Sequence, residues 1–192
     1  TLALAHNGNL TNTGDLAELV QKLEPSNGRE RGATTDTEIM TALISLQNEK
    51  NVEASAMSVL PQLEGAFSLV FMDEHTLYAA RDRHGVRPLV LGKLENGWVV
   101  ASESAALDIV GAAFVREIEP GEFVAIDATG VRSERWAPAE PKGCLFEYVY
   151  LARPDTTIAG QGIHATRVRI GERLAKEAPV EADLVIPVPE SG

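Results

Sequence analysis

The sequence predicts an α+β protein, with helices segregated in front of antiparallel hairpins and the opening of a second, α/β domain behind them. Three observations carry this. Apolar residues repeat at helical spacing through the first third of the chain. Short apolar runs separated by turn residues fill the middle. Past a Pro- and Gly-bearing stretch at 137–143, a helical pattern leads into one further apolar run at 183–189.

Each element has a local cause. Residues 2–5 form an apolar run, and Asn7-Gly8 after them is expected to be a small polar turn opening toward a helix. Leu16, Leu19, Val20 and Leu23 share one helical face, which predicts a first helix to about Glu24. Residues 25–32 read as a charged loop. Thr35-x-x-Glu38 is a capping box, and Ile39, Met40, Leu43 and Ile44 follow on one face. A third helix over 52–63 is weakened by Pro61 in its last turn.

Strand signals follow. Residues 66–72 are continuously apolar, 73–75 turn the chain, and 76–80 return it. Residues 88–92 form a third strand, and Asn96-Gly97 marks a hairpin between 93–94 and 98–100. A short helix over 104–110 comes next. Residues 122–127 and 131–136 pair across 128–130. The stretch 137–143 is a boundary, giving a domain over 1–142 and, over 143–192, a linker with the beginning of a second domain. There 146–151 is apolar, and a helix over 164–177 feeds the strand at 183–189.

Composition excludes several classes. Seventeen Lys and Arg against 28 Asp and Glu leave a net charge of −11, the wrong sign for holding phosphate backbones or anionic membranes. A small phosphorylated ligand on a local cluster is still compatible. No apolar run approaches the roughly 18 residues of a membrane span. The one cysteine, Cys144, forms no internal disulfide and fits a reducing cytoplasm. The histidines and Cys144 lack the spacing of a zinc finger.

A few residues carry chemistry. Asn7 offers a side-chain amide beside the unshielded N–H of Gly8, the materials of an oxyanion hole; an ordinary strand-to-helix turn is the plainer alternative. Asp36 follows a helix N-cap, where answering the helix dipole alone contributes about 0.3–1 kcal/mol. The segment 81–89, Arg-Asp-Arg-His-Gly-Val-Arg-Pro-Leu, is denser in charge than a hairpin connection requires, although a salt-bridged turn accounts for most of it. Ser102-Glu103-Ser104 reads as a helix cap, and His6 and His84 as structural histidines.

The order of these motifs is specific. His-Asn-Gly-Asn-Leu-Thr-Asn at 6–12, Thr-Thr-Asp-Thr-Glu at 34–38, Glu-Gly-Ala-Phe-Ser-Leu-Val at 64–70, Ala-Arg-Asp-Arg-His-Gly-Val-Arg-Pro-Leu at 80–89 and Ala-Ser-Glu-Ser at 101–104 together resemble the amino-terminal-nucleophile (Ntn) glutaminase domain of glutamine amidotransferases. Cys-Leu-Phe-Glu-Tyr-Val-Tyr-Leu-Ala-Arg-Pro-Asp at 144–155 and His-Ala-Thr-Arg-Val-Arg-Ile-Gly at 164–171 narrow the resemblance to the glutamine phosphoribosylpyrophosphate (PRPP) amidotransferase, or amidophosphoribosyltransferase, family.

That resemblance implies an αββα layered Ntn-hydrolase glutaminase domain followed by the start of an α/β phosphoribosyltransferase domain. It implies a transferase of purine biosynthesis: a cysteine thiolate hydrolyses glutamine, and the ammonia displaces pyrophosphate from PRPP to give 5-phosphoribosylamine. Asn7 and Gly8 would form the oxyanion hole, Asp36 would bind the glutamine α-amine, and 81–89 would be scaffold. Glu190, Ser191 and Gly192 would open the pyrophosphate loop. Cys144 would be one ligand of a [4Fe-4S] cluster that some members carry, with a buried inert thiol as the alternative. Mg2+ bound with PRPP and a homo-oligomer are further implications.

The family's nucleophilic cysteine and its carboxylate-binding arginine have no counterpart here, so the chain reads as a fragment expected to be inactive and marginally stable, with an unpaired sheet edge. Two alternatives remain open. One is the glutaminase domain of another Ntn-type amidotransferase; the other is a non-catalytic amino-acid-binding regulatory module.

Overall fold

The computed structural model describes residues 1–23 and 35–188. The predicted loop at 25–32 and the site candidates Glu190, Ser191 and Gly192 lie outside these residues.

A five-stranded antiparallel sheet is built from β1 (Ala3–Leu10), β2 (Gly65–Met72), β3 (Leu77–Arg81), β7 (Glu122–Asp127) and β8 (Gly130–Arg135), in that spatial order. A second antiparallel sheet places β4 (Val90–Leu94) between β5 (Gly97–Ala101) and β6 (Ala113–Glu117). Three helices, α1 (Thr13–Leu23), α2 (Asp36–Leu46) and α3 (Val52–Val59), cover the outer face of the larger sheet; α4 (Ser104–Val110) covers the outer face of the smaller. The layers are therefore αββα, as expected.

Burial shows why the layers hold. Met40, Leu43, Ala56, Val59 and Leu69 are fully buried between the helices and the larger sheet, joined by Phe67, Phe71, Tyr78 and Phe123. Phe71 stacks on Tyr78 at 5.0 Å, and Phe123 closes the cluster at 6.1 Å and 5.7 Å from those two rings. Each such large side chain contributes about 1.5–3 kcal/mol on burial. Between the sheets, Ala79 and Val124 meet Leu89, Leu91 and Ile118. The opposite faces of one strand thus enter two different cores: Tyr78 and Ala80 the helical one, Ala79 the inter-sheet one.

Several predicted elements are observed with small shifts. The capping box forms, with Glu38 N–H donating to Thr35 Oγ1 and Thr35 N–H to Glu38 Oε2, both at 3.2 Å. Pro61 converts the end of the third helix into a 3₁₀ turn, Leu60–Gln62. The Asn96 hairpin forms as β4–β5.

Other elements differ. Asn7-Gly8 is not a turn: β1 runs through both, pairing Asn7 with Ser68 and Gly8 with Phe67. No local pattern announces β6, whose first three residues are exposed and so carry no core-facing alternation. The strand expected at 183–189 is absent over 183–188, where Leu184, Val185 and Ile186 are exposed; a strand needs a neighbour to bond to, and among the described residues none stands beside this run. The apolar 146–151 stretch is a π-helical turn, Glu147–Leu151.

The remaining chain is docked to the layers. Residues 137–143 lie along the 81–89 turn, with Glu140 N–H donating to Arg83 O and Lys142 N–H to His84 O, both at 2.8 Å. After the π-helical turn come a two-residue ribbon, β9 (Thr157–Ile158) with β10 (Gln161–Gly162), and α5 (Ile163–Glu177). Arg167 ties α5 back by donating to Tyr148 O at 2.8 Å and Ala152 O at 2.7 Å.

Candidate functional site

The site is organised by β1, the edge strand of the larger sheet among the described residues. Gly8 sits there at φ +148°, a conformation side chains rarely adopt. A Cβ on Gly8 would fall 2.0 Å from Ala66 O and 2.9 Å from His6 Nε2. Glycine is required by close approach of the neighbouring strand, and it places no side chain of its own over its N–H.

Consecutive side chains of a strand diverge, and here the divergence separates two polar groupings. On one face, Asn7 Nδ2 donates to Ser102 Oγ at 3.1 Å, and Arg87 Nε donates to Asn7 Oδ1 at 3.2 Å. Arg87 Nη1 is ion-paired with Glu147 Oε1. On the other face, His6 Nδ1 lies 3.6 Å from Asp36 Oδ2, which also accepts the Leu10 N–H at 3.2 Å. Asn7 and Asp36 are brought to the same strand but not to the same face; what they share is its edge beside Gly8.

Asp36 is the first residue of α2, so its charge also meets the amino end of that helix. Its side chain keeps 22% exposure, whereas that of His6 keeps 3%, and His6 Nε2 has no hydrogen-bond partner. Burial lowers the His6 pKa below its ordinary 6.5, against the pull of the Asp36 carboxylate. The unfolded chain therefore takes up this proton first. The stability that neutral His6 allows is present above pH 6.5 and is lost as pH falls below it. Urea midpoints measured at about pH 7.5 and 5.5 should accordingly fall less in His6→Gln than in the parent; an equal or larger fall would contradict this.

In the 81–89 turn Arg81 and Asp82 point inward, whereas Arg83 pairs with Glu140 at the surface, 3.8 Å away. Arg81, 5% exposed, donates from Nε to Arg87 O at 2.8 Å, from Nη1 to Ile118 O at 2.7 Å and from Nη2 to Gly85 O at 3.0 Å. Asp82, 1% exposed, accepts from Phe67 N–H, His84 N–H and Val86 N–H. Ser68 Oγ reaches Arg87 O at 3.2 Å and Pro88 O at 3.0 Å. The Arg87 carbonyl is held by two donors, Arg81 Nε and Ser68 Oγ, while its side chain serves Asn7 and Glu147.

Arg87, Ser102 and Glu147 are site neighbours that the sequence did not single out. Ser102 was expected to cap a helix; instead Glu103 is the N-cap of α4, without a side-chain capping bond, and Ser102 turns to Asn7. Arg87 lies 80 positions from Asn7 and 60 from Glu147 in sequence, beyond any local pattern. The density of charge in 81–89 was the one available signal.

Cys144 is a half-exposed free thiol. Among the described residues no group of three or more His, Cys, Asp or Glu could hold a metal ion. Also among the described residues, no helix is long and apolar enough to cross a membrane.

Comparison with known proteins bears on this arrangement. A family model described as a glutamine amidotransferase domain matches residues 1–109. The amidophosphoribosyltransferase of Mycobacterium leprae is 60% identical over 198 residues, covering 100% of this chain and 35% of its own length. That of Synechococcus elongatus is 46% identical, covering 100% of this chain and 39% of its own. The solved glutamine PRPP amidotransferase from B. subtilis, complexed with ADP and GMP, superposes with a TM-score of 0.88 at 38% identity, over 95% of this chain and 39% of that one. A glutamine aminotransferase class-II domain protein from Silicibacter pomeroyi, at 23% identity and a TM-score of 0.53, shares the fold. The chain thus spans little more than a third of the length of the relatives named first.

Proposed function

The chain belongs to the glutamine amidotransferase domain family, and from that premise we propose that it is the glutaminase part of an amidophosphoribosyltransferase, with residues 1–142 as the glutaminase domain and 143–192 as linker and beginning of the phosphoribosyltransferase domain. The whole enzyme would hydrolyse glutamine and deliver the ammonia to PRPP, giving 5-phosphoribosylamine and pyrophosphate in purine biosynthesis.

The orientation of the Asn7 amide beside bare Gly8 carries the reading. Attack of a thiolate on the side-chain amide carbon of glutamine turns the carbonyl oxygen into an oxyanion. Asn7 Nδ2 has two hydrogens; Ser102 takes one, and the other can meet that oxygen together with Gly8 N–H. Collapse of the adduct releases ammonia, and water hydrolyses the thioester to glutamate. Glutamine would lie along the edge of β1, its α-ammonium on the Asp36 carboxylate across the strand. Cys144, the one cysteine of the sequence, is internal and stands past the 137–143 stretch, so it is no candidate for the attacking sulfur. Mg2+ would accompany PRPP, but no described residue cluster supplies its ligands and no step depends on it here. The names of the relatives support the transferase half; a single free cysteine supports a cytoplasmic setting; a homo-oligomer follows from the resemblance.

Glutamine hydrolysis by the native gene product tests the reading. Asn7→Ala should lower kcat by about 10²–10³-fold with little change in KM. Asp36→Asn should instead raise KM for glutamine, and should leave turnover of an analogue lacking the α-amine as it was. Glutamine binding without turnover, unaffected by Asn7→Ala, would favour the amino-acid-binding module.

A further inference from the structure

An asparagine amide is nearly symmetric in shape and opposite in chemistry at its two ends. A half-turn about χ2 exchanges a donor for an acceptor at little steric cost. In an oxyanion hole that half-turn would aim a lone pair at the developing negative charge. Something must therefore choose between the two orientations, and the strand alone does not.

The neighbours of Asn7 do choose. Arginine carries donors and no acceptor, so Arg87 Nε, at 3.2 Å, tolerates only Oδ1 on its side. Ser102 Oγ then accepts from Nδ2 at 3.1 Å. Arg87 is itself held at both ends: its backbone carbonyl by Arg81 and Ser68, its guanidinium by Glu147. The Glu147 side chain is 3% exposed, and its second oxygen, Oε2, is buried with no hydrogen-bond partner. Burial pushes the Glu147 carboxyl above its usual pKa, with Arg87 opposing and Glu103 adding to the rise. A buried carboxylate with one oxygen bare is retained at a cost, which marks the pair as more than packing.

Glu147 also belongs to a different part of the chain. It opens the π-helical turn after Cys144, in a segment that docks near Ser102. Thr157 N–H donates to Ser104 Oγ at 3.0 Å, and Thr156 Oγ1 donates to Glu103 Oε2 at 3.3 Å.

We propose that Arg87, held by Glu147 from outside the αββα layers, is a positioning residue that locks the Asn7 amide with its N–H toward the reacting oxygen. This rests on the reading of Asn7 as an oxyanion donor. With Arg87 gone the amide samples both orientations, so catalysis falls while glutamine binding, carried by other groups, persists.

The test is a double-mutant cycle on glutaminase kinetics in the native gene product, with Asn7→Ala, Arg87→Met and the pair together, and melting temperatures beside them. Arg87→Met should lower kcat at least about tenfold and leave KM within about twofold, and the double variant should be no slower than Asn7→Ala. Glu147→Gln, which keeps an acceptor for Arg87 without the charge, should lose less than Arg87→Met. If Arg87→Met fails to fold, Arg87→Leu decides by the same cycle, because it too offers Asn7 Oδ1 no donor. Unchanged kcat in Arg87→Met or Arg87→Leu overturns the proposal. So does a full additional loss on top of Asn7→Ala. Full activity in Asn7→Ala would sink the oxyanion reading itself, a result distinct from additivity in the cycle.

Discussion

Gly8→Ala should abolish cooperative folding of the glutaminase layers or lower the melting temperature by more than roughly 10 °C. The added Cβ would lie 2.0 Å from Ala66 O and 2.8 Å from its carbon, both backbone atoms that no rotamer change can clear. The φ of +148° adds strain of its own. The opposing strand cannot retreat, because Phe67, Leu69 and Phe71 on β2 are all within 1% of full burial. Relief therefore requires β1 to detach over Gly8–Leu10, which exposes Leu10 and removes the Leu10 N–H that Asp36 accepts. Differential scanning calorimetry reads the outcome. A variant melting within about 2 °C of the parent would show that the strand pair gives way more readily than its burial implies.

The same glycine shows where sequence and structure part company. Asn-Gly is a turn signal, and at Asn96-Gly97 it does mark a hairpin. At Asn7-Gly8 the identical dipeptide lies inside a strand, since the absent side chain is needed for a close approach by a residue 58 positions away. Features encoded within a few residues were legible: the Thr35–Glu38 box, the helical faces of α1 and α2, and the hairpins β4–β5 and β7–β8. The ordered motifs also led to Asn7, Gly8 and Asp36. Their neighbours were not legible. Arg87 and Ser102 bond Asn7, and Glu147 bonds Arg87, from three separated stretches, and each alone looks like a turn charge, a cap or part of an apolar run. Likewise β6 pairs through its backbone while exposing Phe114 and Val115, so alternation gives no warning of it.

Asp82→Ala should destabilise the protein by about 3–5 kcal/mol, a melting shift of roughly 10 °C. The aspartate is the hub of the turn that carries Arg87. Its Oδ1 accepts His84 N–H at 2.8 Å, and its Oδ2 accepts Phe67 N–H and Val86 N–H, each at 3.2 Å. With the residue 1% exposed, water cannot replace the lost oxygens, and three donors are stranded at once. Asp82→Asn separates this cause from simple loss of volume. Its one oxygen can still serve two donors, but its NH2 must face the third, so the cost should fall between those of the parent and Ala. An Asn variant less stable than Ala would point to packing or charge in place of stranded donors. Kinetics give a second readout: Val86 N–H is fixed immediately before Arg87, so slack there reaches the guanidinium. Asp82→Asn, still folded at 25 °C, should lose kcat for glutamine hydrolysis while its KM holds, since the grip on Asn7 loosens before the pocket does.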